Sequence, residues 1–279
     1  MDNIPFGVSR LDRRIGGGAP AGSVVLLAGE AGAGSRELLY TSAVMNALGR
    51  TGDERFDLYY GELDPGASFP ESVHYVSLTA SESQLRREMR FTMDDELVDA
   101  GVEAIDFADL STEFFQLSPV PREWYAETHA EINDLGRTAD RRDAIEALSD
   151  QLDAHADGSL LLVDSLTDLV GVRHREQFEW NDIVYLLKGI RRAARSWGGV
   201  ILVNVSRESL SDERLGDLMA SVDGTMLFEW ESGGNDRVRT MVVREFRGVL
   251  SQLEEEDIVR FETEIHEGGF DISDVRKIR

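Results

Sequence analysis

The sequence predicts an α/β protein whose sheet is mostly parallel and flanked by helices. Continuous apolar runs are typical of parallel strands that are buried on both faces, and here they alternate with longer helical patterns. This alternation favours right-handed crossovers with helices on both faces of the sheet. The predicted strands are residues 24–27, 73–78, 104–109, 160–164 and 200–205, and the predicted helices are residues 37–48, 83–93, 140–155 and 180–197.

The C-terminal part of the chain has a different pattern. Three strand-like segments follow residue 205, at residues 222–230, 237–246 and 258–265, joined by short polar turns such as Ser232-Gly233-Gly234-Asn235. This pattern predicts an antiparallel meander that closes one edge of the sheet.

We expect one domain of residues 1–279, because no segment has the composition of a linker. Residues 1–22 form a lead-in to the first strand, and residues 222–270 contain the antiparallel strands. Two polar segments, residues 51–72 and 118–137, interrupt the alternation of strands and helices and are predicted as loop insertions.

The composition excludes several classes of protein. The chain has no Cys, which excludes disulfide frameworks, thiolate metal sites and cysteine nucleophiles. No apolar run reaches the roughly 20 residues that a membrane span needs, and the N-terminus lacks the apolar core of a secretory signal. The five His show no metal-ligand spacing. We therefore expect a cytoplasmic protein with no membrane span and no metal site.

The chain is strongly acidic, with 53 Asp and Glu against 29 Lys and Arg, a formal net charge of −24. Such a surface repels phosphate backbones, so nucleic-acid binding is disfavoured unless a local basic patch overrides it. Only two basic residues are Lys (Lys188 and Lys277), and the acidity is spread along the whole chain, which favours adaptation to multimolar salt. We expect the run Arg191-Arg192-Ala193-Ala194-Arg195 to pair with local carboxylates.

The candidate site is the stretch GEAGAGSREL, residues 29–38, between the first strand and the first predicted helix. Gly29, Gly32 and Gly34 fit a phosphate-binding loop, G-x-x-x-x-G-K-S/T, whose backbone amides and following helix N-terminus bind phosphate. In that motif the Lys bridges the outer phosphates and the hydroxyl ligates Mg²⁺. Here Ser35 stands at the Lys position and Arg36 at the hydroxyl position.

These replacements affect catalysis more than binding. One charge-assisted hydrogen bond contributes about 1.5–3 kcal/mol, so losing the Lys weakens phosphate binding without forbidding it. Hydrolysis depends further on the Lys and Mg²⁺, which stabilise charge in the transition state. We therefore expect no catalytic residue and no Mg²⁺, and ATP or ADP binding stays open. We interpret Arg36 as an exposed residue of the first helical turn rather than a substitute phosphate ligand.

Other features suit a nucleotide-binding ancestry. The buried strand of residues 160–164 ends in Asp164, as a Walker B strand ends in the carboxylate that serves Mg²⁺. After the second strand, Thr79 and Ala80 stand where a general-base Glu would be sought.

The chain resembles archaeal RecA-superfamily ATPases of the KaiC/RAD55 type over about residues 4–270. The resemblance rests on the stretches GVSRLDRRIGGGAPAGSVVLLAGEAGAGS, YVSLTASESQLRREM, LLLVDSLTDL, GVILVNVSRES and VDGTMLFEWESGGNDRVRTMVVREFRG. It implies a RecA-like fold and a nucleotide site that includes Asp164. It also implies that Arg247, in the closing K-x-R-G element, reaches the nucleotide of a neighbouring subunit in family oligomers.

The departures from the family pattern all concern turnover. Ser35 and Arg36 replace the Walker A Lys and hydroxyl, Thr79-Ala80 replaces the Glu pair, and Glu245 replaces the Lys of the closing element. The resemblance thus implies a pseudo-ATPase that acts as a regulatory or scaffolding subunit. Its partner would be a protein, such as an active KaiC-like paralogue or a second copy, in a homo- or hetero-oligomer. Two alternatives stay open: a divergent ATPase completed by a partner subunit or by Arg36, and an accessory factor for recombination on DNA.

Overall fold

The computed structural model describes residues 2–116, 118–125, 144–171, 179–233, 236–246, 249 and 260–275. The strands are β1 (Asn3–Ile4), β2 (Ala19–Pro20), β3 (Ser23–Gly29), β4 (Val73–Ser77), β5 (Asp106–Asp109), β6 (Leu160–Asp164), β7 (Val200–Ser206), β8 (Gly224–Gly233), β9 (Asp236–Phe246), β10 (Arg260–His266) and β11 (Gly269–Val275). The helices are α1 (Ser9–Arg14), α2 (Ser35–Thr51), α3 (Glu54–Tyr59), α4 (Glu82–Thr92), α5 (Asp95–Val102), α6 (Ser111–Phe115), α7 (Ala144–His155), α8 (Trp180–Trp197) and α9 (Asp212–Ala220).

Nine of these strands form one sheet in the order β11-β10-β9-β8-β3-β7-β6-β4-β5. The strands from β8 to β5 are mutually parallel, and β9, β10 and β11 continue the sheet in antiparallel pairing. The predicted fold class, a mostly parallel α/β sheet with antiparallel C-terminal strands, is confirmed.

The C-terminal strands differ from the prediction in one respect. Strand β8 was expected to belong to the antiparallel meander. It is antiparallel to β9 on one side, but it is parallel to β3 on the other. Helix α9 explains this difference, because it carries the chain from the end of β7 back to the start of β8. The sequence pattern also missed β11, the outermost strand on this side of the sheet.

The hydrophobic core lies on both faces of the sheet, and β3 shows how the sequence divides it. All seven residues of β3 are buried. Val25 and Leu27 pack on the face that α2 and α5 cover, whereas Val24 and Leu26 pack on the face that α7, α8 and α9 cover. A continuous apolar strand therefore supplies both layers, as expected for a buried parallel strand.

The two predicted loop insertions have different outcomes. Residues 51–72 contain helix α3, which Asp53 caps by accepting a hydrogen bond from the amide of Arg55. Phe56 and Tyr60 of this segment are buried, so apolar packing overrides its polar composition. Of residues 118–137, all beyond 125 lie outside the described residues, as do the first four of the helix predicted at residues 140–155.

The N-terminal lead-in is organised around the buried carboxyl group of Asp12. It accepts hydrogen bonds from the amides of Phe6, Gly7 and Val8, at 2.8–3.1 Å, and from the hydroxyl of Tyr60 at 3.1 Å. Burial raises the pKa of Asp12 to about 7, against the opposing effect of these hydrogen bonds. Asp12 therefore has a structural role: it holds the turn of residues 6–8 against Tyr60.

Candidate nucleotide-binding site

The predicted loop lies where the carboxyl ends of β3, β6 and β7 meet, since parallel strands end at the same edge of a sheet. Beside it is a cavity of about 280 Å³. Ligand sites for small molecules usually have volumes of about 300–1,000 Å³, so this cavity is slightly smaller than that range. Its lining includes the loop residues Gly29, Glu30, Ala31, Gly32, Gly34 and Ser35, together with Arg36, Glu37, Ser165 and Asn204.

The guanidinium of Arg36 forms a two-point ion pair with Asp164. Nε of Arg36 lies 3.2 Å from Oδ2 of Asp164, and Nη2 lies 3.3 Å from Oδ1. The carboxylate is buried, with its side chain 5% exposed, whereas the Arg36 side chain is 50% exposed. Arg36 is thus an exposed residue of the first turn of α2, as predicted, but its head group pairs with Asp164, a contact that the sequence did not predict.

Two further side chains complete the surroundings of Asp164. The amide nitrogen of Asn204, near the end of β7, donates to Oδ1 at 3.0 Å, and the hydroxyl of Tyr75 in β4 donates to Oδ2 at 2.9 Å. Oδ1 thus accepts two hydrogen bonds, from Arg36 and Asn204, whereas Oδ2 accepts one from Tyr75 and forms an ion-pair contact with Nε of Arg36. A carboxylate offers about four lone-pair sites, so these contacts occupy most of them.

The electrostatics of this cluster favour a fixed Arg36 cation beside neutral tyrosines. Burial lowers the pKa of Arg36, but the charge interactions with Asp164 first, and then with Tyr40, Tyr75 and Glu88, together outweigh this effect, so the net pKa is raised. Burial and the Asp164 charge raise the pKa values of Tyr75 and Tyr40, so both phenols stay protonated as hydrogen-bond donors. The hydroxyl of Tyr40 donates to Glu88 at 2.5 Å.

The loop keeps the backbone geometry that its glycines allow. Gly34 has φ of 117°, and a Cβ there would lie 2.9 Å from the ring of Phe270. Only glycine fits this conformation and this contact, since a positive φ strains other residues. Ser35 begins α2 with its hydroxyl packed against Gly29, so the glycine leaves room for the serine that replaces the motif's Lys.

A hairpin formed by β8 and β9 holds the outer side of the loop. The indole nitrogen of Trp230 donates to the carbonyl of Ala31 at 3.0 Å, and Nε of Arg239 donates to the carbonyl of Gly32 at 2.9 Å. The backbone amide of Trp230 donates to the carboxylate of Glu30 at 3.1 Å. The guanidinium of Arg239 also lies 4.7 Å from the centre of the Trp230 ring, a cation–π contact.

Carboxylates surround the loop and disfavour a polyanion. Glu30 and Glu37 line the cavity, and Oε1 of Glu208 accepts a long hydrogen bond, 3.4 Å, from the amide of Ala31. Arg207 is the nearest compensating cation to Glu30, at 3.9 Å, but it also pairs with Glu229. A phosphate group would meet negative charge at several points of this rim.

The residues present do not fit a Mg²⁺ ion. In the phosphate-loop motif the metal lies between the hydroxyl of the loop and the Walker B carboxylate. Here Arg36 stands at that loop position in place of a hydroxyl residue, and its guanidinium pairs with the carboxylate of Asp164. Within the described ranges, no group of three His, Asp or Glu could hold a metal ion.

Comparison with solved structures shows the same fold in a KaiC-like protein from the hyperthermophilic archaeon Pyrococcus horikoshii OT3. The match has a TM-score of 0.61 and 17% identity, and it covers 98% of this chain and 99% of that one. The chain has a KaiC-like fold. No family model and no curated protein matches the sequence.

The KaiC-like fold gathers most of the predicted site residues. Gly29, Gly32, Gly34, Ser35 and Arg36 all border the cavity, and Asp164 contacts it through Arg36. Arg247 lies outside the described residues. Among the described helices, none is long and apolar enough to cross a bilayer.

Sequence reasoning missed Tyr75, Asn204, Trp230 and Arg239. Asn204 had a usable signal, because a lone amide in the apolar run VILVNVS must find a hydrogen-bond partner when buried. Tyr75 gave a similar but weaker signal. Trp230 and Arg239 could not be found this way, since both lie on strands that meet the loop only in the folded chain.

Proposed function

We propose that this chain is a catalytically inactive or impaired KaiC/RAD55-like protein that acts as a regulatory or scaffolding subunit. In this role it binds another protein in the cytoplasm, such as an active KaiC-like paralogue or a second copy, and binds nucleotide weakly or not at all. The observation that carries the proposal is the ion pair between Arg36 and Asp164, which fills the position where the motif would hold Mg²⁺.

The free energies involved support loss of turnover. Removing one transition-state donor from an enzyme costs about 2.7–4 kcal/mol in the barrier, about 10²–10³ in rate. Here the Lys, the loop hydroxyl and a free Walker B carboxylate are all lacking, so their effects combine. The acidic rim of Glu30 and Glu37 further lowers phosphate affinity.

The alternatives have less support. A divergent ATPase that uses Arg36 would need its guanidinium to leave Asp164, which would then be a buried carboxylate with fewer donors. An accessory role on DNA would need a basic surface large enough to overcome a net charge of −24.

Calorimetry with ATP and ADP in multimolar KCl, with and without Mg²⁺, tests the proposal. We expect no Mg²⁺-dependent binding and no hydrolysis above background. The double variant Ser35→Lys with Arg36→Thr restores the motif and frees Asp164, and we expect it to gain Mg²⁺-dependent binding. Wild-type hydrolysis that is stimulated by Mg²⁺ and lost in Asp164→Asn would contradict the proposal.

A further inference from the structure

The outer face of helix α8 carries an exposed basic stripe, which we define as Tyr185, Lys188, Arg192 and Arg195. Their spacing of three, four and three residues places them within an arc of about 80° at 3.6 residues per turn. Tyr185 is 68% exposed, and the three basic residues are exposed as well. The opposite face of α8 is buried in the core through Ile183, Leu187, Ile190 and Ala194.

The three cations of the stripe have no carboxylate within 4.0 Å among the described residues. Arg191, the residue before Arg192, pairs with Asp223 at 2.8 Å. The expectation that residues 191–195 pair with local carboxylates is therefore confirmed for Arg191 and wrong for Arg192 and Arg195. Unpaired cations gathered on one helix face are unusual in a chain with 53 acidic residues.

A glycine adds a second, independent feature to this face. Gly189 lies in the interior of α8, next to the stripe, and is exposed, and a Cβ there would have no atom within 4 Å. Glycine inside a helix costs about 0.5–1 kcal/mol relative to alanine. No packing within the described chain requires it, and its missing side chain leaves a notch between Tyr185 and Arg192.

We propose that the basic stripe and the Gly189 notch dock an acidic helical segment of a protein partner. Carboxylates spaced three and four residues apart on the partner would pair with Lys188, Arg192 and Arg195. The notch lets the partner's backbone approach, and Tyr185 supplies an aromatic anchor of the kind enriched at interface hot spots. This inference gives a chemistry to the partner of the proposed scaffolding role and rests on that role.

The observations favour an acidic protein over a nucleic acid. From Lys188 to Arg195 the stripe is about 10 Å long, so it meets only a few phosphates. A duplex extends far beyond it over a surface whose net charge is −24.

Helices α4 and α5 of a second copy are poorer matches, because the exposed carboxylates of Glu82 and Asp99 already pair with Arg86 and Arg90. A partner helix with unpaired carboxylates complements the stripe better than these two helices do.

The test uses the full chain and a fluorescein-labelled peptide of three Glu-Ala-Leu-Glu-Glu-Ala-Leu heptads, measured by fluorescence anisotropy over a KCl series. We expect saturable binding that weakens with salt. The triple variant Lys188→Glu, Arg192→Glu, Arg195→Glu should lose affinity at least about 30-fold. The matched control Arg13→Glu, Arg50→Glu, Arg122→Glu has the same net charge and should stay within about threefold.

A neutral variant separates docking from charge. Gly189→Leu fills the notch with a good helix former, so circular dichroism should show an unchanged fold while peptide affinity falls at least about tenfold. None of these variants touches the loop at residues 29–34, so failure here is distinguishable from the result of the nucleotide experiment.

Four outcomes would overturn the inference. The first is no saturable peptide binding by the wild type, and the second is equal loss in the stripe and control variants. The third is binding of a 20-base-pair DNA duplex through the stripe in place of the peptide. The fourth is a dimer in light scattering that the stripe variant loses while the wild type ignores the peptide, which would make the occupant a second copy.

Discussion

Arg36 and Asp164 face each other across the end of the sheet, with Nε 3.2 Å from Oδ2 and Nη2 3.3 Å from Oδ1. The pair connects the first turn of α2 to the end of β6, the two elements that would share a Mg²⁺ in a working phosphate loop. Compared with the phosphate-loop motif, Arg36 therefore differs in two ways. It stands where the motif has a hydroxyl, and it places a cation beside the carboxylate of Asp164.

This ion pair should stabilise the fold more than a surface pair does. Arg36→Ala leaves buried Asp164 with only Tyr75 and Asn204 as donors, and we expect it to destabilise the protein by about 1–3 kcal/mol. In a double-mutant cycle with Asp164→Asn, measured by urea denaturation at constant KCl, we expect a coupling energy of about 1–2 kcal/mol.

The pair of Glu82 and Arg86 on α4, four residues apart, is the control, because its carboxylate side chain is 49% exposed whereas that of Asp164 is 5% exposed. The same cycle there should give about 0.3–0.5 kcal/mol. Additive effects at Arg36 and Asp164 would show that the pair contributes nothing beyond two independent side chains.

Most of the parallel half of the sheet was predictable from the sequence because strands such as β3 and β6 are continuous apolar runs, which are typical of parallel strands buried on both faces. The prediction of β6 as residues 160–164 matches its observed bounds, and α8 was likewise predicted at its observed bounds. Strand β11 was missed because GFDISDV mixes polar with apolar residues, so its place in the sheet depends on packing against α2. Strand direction at β8 depended on α9, which the pattern did not reveal.

The candidate site, like the fold, was predictable only in part. Motif spacing brought out the loop and Asp164, because both lie at fixed places in a parallel-strand architecture. The contact between Arg36 and Asp164 was not predictable, since a long side chain in a first turn can point outward or inward. That choice depends on Tyr75 and Asn204, which come from two other strands.

Asp12 makes the stability of the chain depend on pH. Its folded pKa is raised to about 7, whereas the carboxyl group of an unfolded chain titrates near 3.8. Between these values the folded state binds more protons, so the contribution of Asp12 is fully present at low pH and falls as pH rises from about 4 to 7. The slope is at most about 1.4 kcal/mol per pH unit.

Asp12→Asn removes this titration, so the unfolding free energy of the wild type minus that of the variant should decrease over the same pH window. Urea denaturation at each pH and constant KCl measures it. Asp57→Asn, an equal change at an exposed position of α3, is the control for the substitution itself. If the unfolding free energy of the wild type minus that of Asp12→Asn increases with pH instead, the amides of Phe6, Gly7 and Val8 hold Asp12 ionised in the folded protein.

Two glycines should respond to alanine in opposite directions. Gly34 has φ of 117°, and an added Cβ would lie 2.9 Å from the Phe270 ring, so Gly34→Ala combines backbone strain with a clash. We expect destabilisation of about 1–3 kcal/mol. Gly189 lies in a regular helix where a Cβ would have no atom within 4 Å, so Gly189→Ala should stabilise by about 0.5–1 kcal/mol.

Urea midpoints at constant KCl measure both variants in one experiment, with each serving as the control for the other. The result for Gly34 also reports on the loop, because Phe270 lies in β11 and connects the outer edge of the sheet to the first turn of α2. If Gly34→Ala leaves the urea midpoint unchanged, the loop can adopt another backbone conformation. The conformation of Gly34 would then not determine the inward position of the Arg36 guanidinium. If Gly189→Ala lowers the midpoint, the notch on α8 has a structural role within the chain, and its assignment to a partner loses its basis.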